Sequence, residues 1–80
     1  MSNQELPIKQ ELNTLGLRCP EPIMLIRKAM RELNSGDILY VIADDPASVR
    51  DIPGFCRYMD HELLQQQIDH KPFTYLIRKG

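Results

Sequence analysis

The sequence predicts an α+β fold, a two-layer sandwich in which a mixed four-stranded sheet carries two helices on one face. Three observations predict it. Stretches with strand-like pattern alternate with two stretches of helical periodicity, in the order βαβαββ. Strands separated by helices favour parallel pairing through right-handed crossovers, whereas the last two strands are close enough for an antiparallel hairpin. Eighty residues hold one modest core, so residues 1–80 are read as a single domain.

Each element follows from local pattern. Residues 1–7 are polar and expected to fray. A first strand fits about Ile8–Asn13, where Ile8, Gln10 and Leu12 alternate with Lys9, Glu11 and Asn13. The pattern breaks over Thr14–Pro20. A helix starts near Pro22, since proline is favoured in the first helical turn, and Ile23, Ile26, Met30 and Leu33 form its apolar stripe. Asn34-Ser35-Gly36-Asp37 ends it. The apolar run Ile38–Ala43 is a central strand. Asp44-Asp45-Pro46 suggests a second helix start with a carboxylate cap, and Val49, Ile52, Cys56 and Met59 its buried stripe. Pro53-Gly54 predicts a kink or break in that helix. Strands at about Glu62–Ile68 and Phe73–Arg78 flank a turn at Asp69-His70-Lys71-Pro72.

Composition excludes several classes. Ten basic and eleven acidic side chains leave a net charge of −1, which gives no basis for strong, phosphate-driven binding of nucleic acid. No apolar run approaches the roughly 18–20 residues that span a membrane, and Met1–Leu6 lacks the features of a signal peptide. The expectation is a cytoplasmic protein with reduced cysteines and no membrane association. Nothing in the pattern marks a large apolar outer face, so a monomer is expected.

The two cysteines differ in position. Cys56 falls on the apolar stripe of the second helix and reads as a core residue. Cys19 is on no stripe. It lies between Arg18 and Pro20, in a connection that leaves a strand and enters a helix. Unpaired N–H groups at that helix start, together with Arg18, are expected to favour the thiolate and lower the thiol pKa. Pro20 and Pro22 restrict the backbone around the sulfur and present it rigidly.

Other chemistries lack their parts. Neither His61 nor His70 is placed by spacing beside Cys19, and both read as solvated surface side chains. There is no Cys-x-x-Cys pair for a dithiol mechanism. Cys19, Cys56, His61 and His70 match no standard zinc spacing, so no metal site is assigned. Gly16, Gly36, Gly54 and Gly80 are scattered and form no phosphate loop. What remains is one exposed, activated thiol on a domain too small for a deep pocket, which suits a shuttle for a group held on sulfur.

The segment Leu15-Gly16-Leu17-Arg18-Cys19-Pro20-Glu21-Pro22 resembles the Cys-Pro-x-Pro signature of the TusA/SirA-like sulfur-carrier family. The resemblance continues through Ala43–Ala47, Arg50–Cys56 and Tyr75–Gly80, and so covers nearly all of the chain from about Leu12. It implies the same βαβαββ fold. It also implies that Cys19 accepts sulfane sulfur from a pyridoxal-phosphate cysteine desulfurase and holds it as a persulfide. The sulfur would then pass to a downstream relay protein for 2-thiolation of a tRNA wobble uridine. Pro20 and Pro22 fall on the prolines of the motif and Glu21 on its variable position. The carrier itself would need no cofactor.

Met24, Arg27, Lys28 and Arg31 lie opposite the apolar stripe of the first helix, beside the thiol. They are read as a docking surface for the sulfur donor or acceptor, with Met24 and the aliphatic arginine stems making the contact. Two alternatives stand beside sulfur carriage. One is a regulatory interaction module in which Cys19 is incidental. The other is a redox sensor in which Cys56 resolves an oxidised Cys19, which requires an accessible Cys56.

Overall fold

The computed structural model describes residues 7–80, and the reading of residues 1–6 as frayed lies outside them. Six elements follow one another: β1 (Ile8–Asn13), α1 (Glu21–Glu32), β2 (Ile38–Ala43), α2 (Ser48–Tyr58), β3 (Glu62–Gln67) and β4 (Phe73–Arg78). The sheet order is β1-β2-β4-β3. The pair β1/β2 is parallel, and β4 runs antiparallel to both β2 and β3. This is the mixed sheet that the alternation of strands and helices predicts.

Alternation along the two central strands decides which face is covered. Leu39, Val41 and Ala43 of β2 pair with Ile77, Tyr75 and Phe73 of β4, and all six are buried. Beneath the helices they meet Ile26, Ala29, Met30 and Leu33 of α1, and Ile52, Phe55 and Cys56 of α2. Burying a large aliphatic side chain contributes about 1.5–3 kcal/mol, so this contiguous cluster is the main source of stability. The opposite face carries Tyr40, Ile42, Thr74 and Leu76, each half-buried. Lys9 in β1 and Leu64 in β3 are extra residues relative to their partner strands. Each bulge resets which side chains of its edge strand face the helices.

The first helix begins at Glu21, with Pro20 as cap and Pro22 in its first turn, as expected. Several other local expectations are corrected. The second helix begins at Ser48, after tight turns in which Ser48 and Val49 N–H bond the carbonyls of Asp45 and Pro46. It runs through Pro53 without a break. Met59 leaves the buried stripe and is exposed, and Phe55 takes the core position. The third strand stops at Gln67, whose side chain bonds Asp69, His70 and Pro72 backbone groups and ties off the turn.

The strand pairing sets the place of the site. Because β1 and β2 are parallel, their carboxyl ends lie side by side, and the connections that leave them meet. Thr14, just past β1, is fully buried and donates through both its N–H and its hydroxyl to the Ile42 carbonyl, at 2.8 and 2.7 Å. This anchors the start of the loop that carries Cys19 against the end of β2.

Candidate functional site

Cys19 is exposed, in the connection between β1 and α1, while Cys56 is buried in the core. Two adjacent carboxylates at the end of β2 hold the Cys19 loop. Asp44 Oδ1 accepts the Gly16 N–H and the Arg18 guanidinium, both at 3.1 Å. Asp45 Oδ2 accepts the Cys19 N–H at 2.7 Å, and its Oδ1 accepts the Ala47 N–H at 3.2 Å. Gly16 sits in the left-handed region with φ of +83°, which lets the chain turn its N–H onto Asp44. Asp44 and Asp45 therefore organise the loop, and only Asp45 also serves the start of α2.

These contacts reverse the expected electrostatics. Arg18 pairs with Asp44 and is not among the charges that act on the thiol. The Glu21 N–H bonds the Arg18 carbonyl, and Pro22 has none to give, so the first turn of α1 offers the sulfur fewer free donors than its position suggests. The thiol pKa is raised above its ordinary value. The first cause is a hydrogen bond with the Asp51 side chain, followed by desolvation and by the negative charges of Asp51 and Asp45; Arg50 opposes them. These surroundings favour the protonated thiol over the thiolate. A raised pKa also makes each thiolate that does form a stronger nucleophile.

The arrangement places one accessible sulfur on a loop pinned at three backbone or side-chain points, with no histidine at hand. The model of the sulfurtransferase TusA family matches residues 10–79 of this chain. The chain belongs to the TusA family. The crystal structure of a SirA-like protein from Desulfitobacterium hafniense shares the fold of this TusA-family chain. The two are 20% identical and superpose with a TM-score of 0.71 over 86% of this chain and 93% of the other.

Around the sulfur of this TusA-family protein, the other residues singled out from sequence divide. Met24 is 59% exposed, and Arg27, Lys28 and Arg31 are exposed along α1. Arg27 lies over a groove between the two helices, of about 520 Å³, whose apolar lining includes Ile23, Phe55, Tyr58 and Met59. Asp51 and Arg50, the α2 residues that act on the thiol, line the same groove. Arg27 and Arg31 border a second, smaller hollow of about 150 Å³ with Lys79 and His61. Met24 borders a separate hollow with Leu17, Glu21 and Leu25.

His61 departs from the solvated reading. It is half-buried, its ring centroid lies 5.7 Å from that of Phe55, and its Nδ1 accepts the Gly80 N–H at 3.1 Å. Burial, then the nearby Lys79 charge, lowers its pKa. His70 stays exposed in the β3–β4 turn. Among the described residues no three of His, Cys, Asp and Glu group as metal ligands, and no helix is long and apolar enough to cross a membrane.

Sequence reasoning missed Asp51 and the loop-holding role of Asp44 and Asp45. A usable signal existed for the latter. The expected parallel pairing of the first two strands puts the residues after Ala43 beside those after Asn13.

Proposed function

We propose that this TusA-family protein is a sulfur carrier that works through a persulfide on Cys19. The whole chain acts as one carrier domain. In loading, the Cys19 thiolate attacks the terminal sulfur of a donor persulfide. A new S–S bond forms on Cys19, the donor's S–S bond breaks, and the donor thiolate leaves with the electron pair. The proton lost by Cys19 balances the one taken up by the donor thiolate, and no external oxidant is consumed. Unloading is the same exchange with an acceptor thiolate.

The donor in this reading is a cysteine desulfurase and the acceptor a downstream relay protein, in the cytoplasm. The sulfur ends in 2-thiolation of a tRNA wobble uridine. Such a carrier needs no cofactor of its own, and its partners are proteins rather than nucleic acid. Met24, Arg27, Lys28 and Arg31 serve as the docking face, and Arg18, Pro20, Glu21 and Pro22 shape the loop. The observation that carries the reading is the exposure of Cys19 on a loop fixed by Asp44 and Asp45, while Cys56 is shut in the core. Both partners in an exchange must reach one sulfur, so access is the first requirement. The burial of Cys56 removes the resolving thiol that a redox sensor would need.

Intact mass spectrometry tests it. The protein is incubated with a cysteine desulfurase, pyridoxal phosphate and cysteine under non-reducing conditions. The expected result is a reductant-sensitive gain of one sulfur atom, lost in Cys19→Ser and kept in Cys56→Ser. No gain with several donors, while Cys19 is free and reduced, overturns the reading in favour of a regulatory module.

A further inference from the structure

Asp45 is only 7% exposed, yet among the described residues neither salt bridge includes it. A buried carboxylate without a cation is costly unless N–H groups satisfy it. It has two such donors, from different segments: the Cys19 N–H on one oxygen at 2.7 Å and the Ala47 N–H on the other at 3.2 Å. Charge-assisted bonds of this kind are stronger than neutral ones, and two on opposite oxygens stop the carboxylate from rotating. The acceptor for the Cys19 N–H is therefore fixed to the segment that leads into α2. That helix brings Asp51 and Arg50 to the thiol.

We propose that Asp45 is a positioning residue for sulfur transfer. By holding the Cys19 N–H to the start of α2, it sets the direction in which the sulfur faces an incoming persulfide, and it keeps a negative charge beside that sulfur. The proposal rests on the reading of Cys19 as the sulfur-bearing residue. Exchange at sulfur demands that the attacking atom approach along the bond being broken, so small errors in the position of the thiol slow the step more than they weaken docking. The charged groups that act on the sulfur are Asp51 and Arg50 from α2 and Asp45 from the connection before it, and its charged neighbours in sequence are Arg18 and Glu21. Of these, Arg18 is occupied by Asp44. Asp44 binds the same loop at Gly16 and Arg18 but makes no bond to Cys19, and it serves as the control for simple loop anchoring.

The test compares full-length wild type with Asp45→Asn, Asp45→Glu and Asp44→Asn, each checked for folding by circular dichroism. Two quantities are read: the pH midpoint of Cys19 alkylation by iodoacetamide, and the single-turnover rate of persulfide loading from a desulfurase over a range of donor concentration. Asp45→Asn removes the charge. Its alkylation midpoint falls to lower pH, while its loading rate at saturating donor falls by about tenfold or more, with half-saturation unchanged. Asp45→Glu retains the charge and displaces the carboxylate, so its midpoint stays near wild type and its loading is slow. Asp44→Asn releases Arg18 but keeps the Asp45 bond to the Cys19 N–H, so its loading at saturating donor is slowed less than that of Asp45→Asn. Loading of folded Asp45→Asn at the wild-type rate overturns the proposal, as does an unmoved midpoint. If Asp45→Asn does not fold, wild-type loading by Asp45→Glu overturns it alone. If wild type takes up no sulfur at all, the carrier reading itself has failed and the proposal falls with it.

Discussion

Arg18 Nη1 lies 3.1 Å from Asp44 Oδ1, and this pairing engages the cation next to Cys19 in sequence, which is not among the charges that act on the thiol. The Asp44 carboxyl is in turn held below its usual pKa, first by the Gly16 N–H and then by Arg18. The charges that act on the thiol come instead from α2 and from Asp45 before it. Alkylation of Cys19 as a function of pH therefore separates the two arrangements. Arg18→Ala should leave the midpoint where it is. Asp51→Asn removes the largest upward influence and should move it to lower pH, and Arg50→Ala should move it to higher pH. A large upward shift in Arg18→Ala would show that Arg18 faces the sulfur in solution.

The contrast shows where sequence reading ends. The fold was legible because each element carries one periodic face: Ile26, Met30 and Leu33 on α1, Ile52 and Cys56 on α2, alternate residues of β2 and β4. Those patterns report burial, and burial decides the layers. Cys19 was legible for the opposite reason, as a cysteine that fits no face. Its electrostatic surroundings were not, because they depend on which side chains from distant segments meet at the ends of β1 and β2. Proximity in sequence made Arg18 the obvious neighbour. The Asp44 carboxylate, 26 residues on in sequence, is the partner it meets in space.

Ser48 and Tyr75 form a hydroxyl pair in the core, with oxygens 3.0 Å apart and the two residues 2% and 1% exposed. Removing one hydroxyl leaves the other buried without this partner, which costs about 1–3 kcal/mol. Tyr75→Phe should lower stability by that amount in urea unfolding. The double variant Ser48→Ala/Tyr75→Phe should recover part of the loss. If the single variant is as stable as wild type, the hydroxyl of Ser48 has another acceptor.

Burial raises the Cys56 thiol pKa from 9.0 to about 11. In the unfolded chain this thiol ionises near its ordinary value, while in the folded chain it stays protonated. The stabilisation is therefore fully present below about pH 9 and is lost as the pH climbs from there to about 11, at up to about 1.4 kcal/mol per unit. Tyr75 acts in the same direction above its ordinary pKa of 10.0. Urea midpoints measured from pH 8 to 11 should fall for wild type and fall less steeply for Cys56→Ala. Parallel curves for the two would mean that the thiol is not shut in the core.

The last prediction concerns the face of α1. Arg27 lines the interhelical groove that Arg50 and Asp51 also line, and Met24 is exposed one turn nearer the start of α1. A partner that fills the groove would bury Phe55, Tyr58 and Met59 edges and meet the Arg27 guanidinium at the rim. Reversing that charge should weaken encounter and docking more than it alters the exchange itself, because Arg27 is not among the charges that act on the thiol. Arg27→Glu should therefore raise the half-saturating donor concentration at least severalfold, with the loading rate at saturation nearly kept. Met24→Ala should do the same more weakly, through lost apolar contact. This is the reverse of the pattern expected for Asp45→Asn, so one series of loading curves distinguishes docking from positioning. If Arg27→Glu and Met24→Ala both load like wild type at every donor concentration, the basic face of α1 is a solvated surface and the donor docks elsewhere.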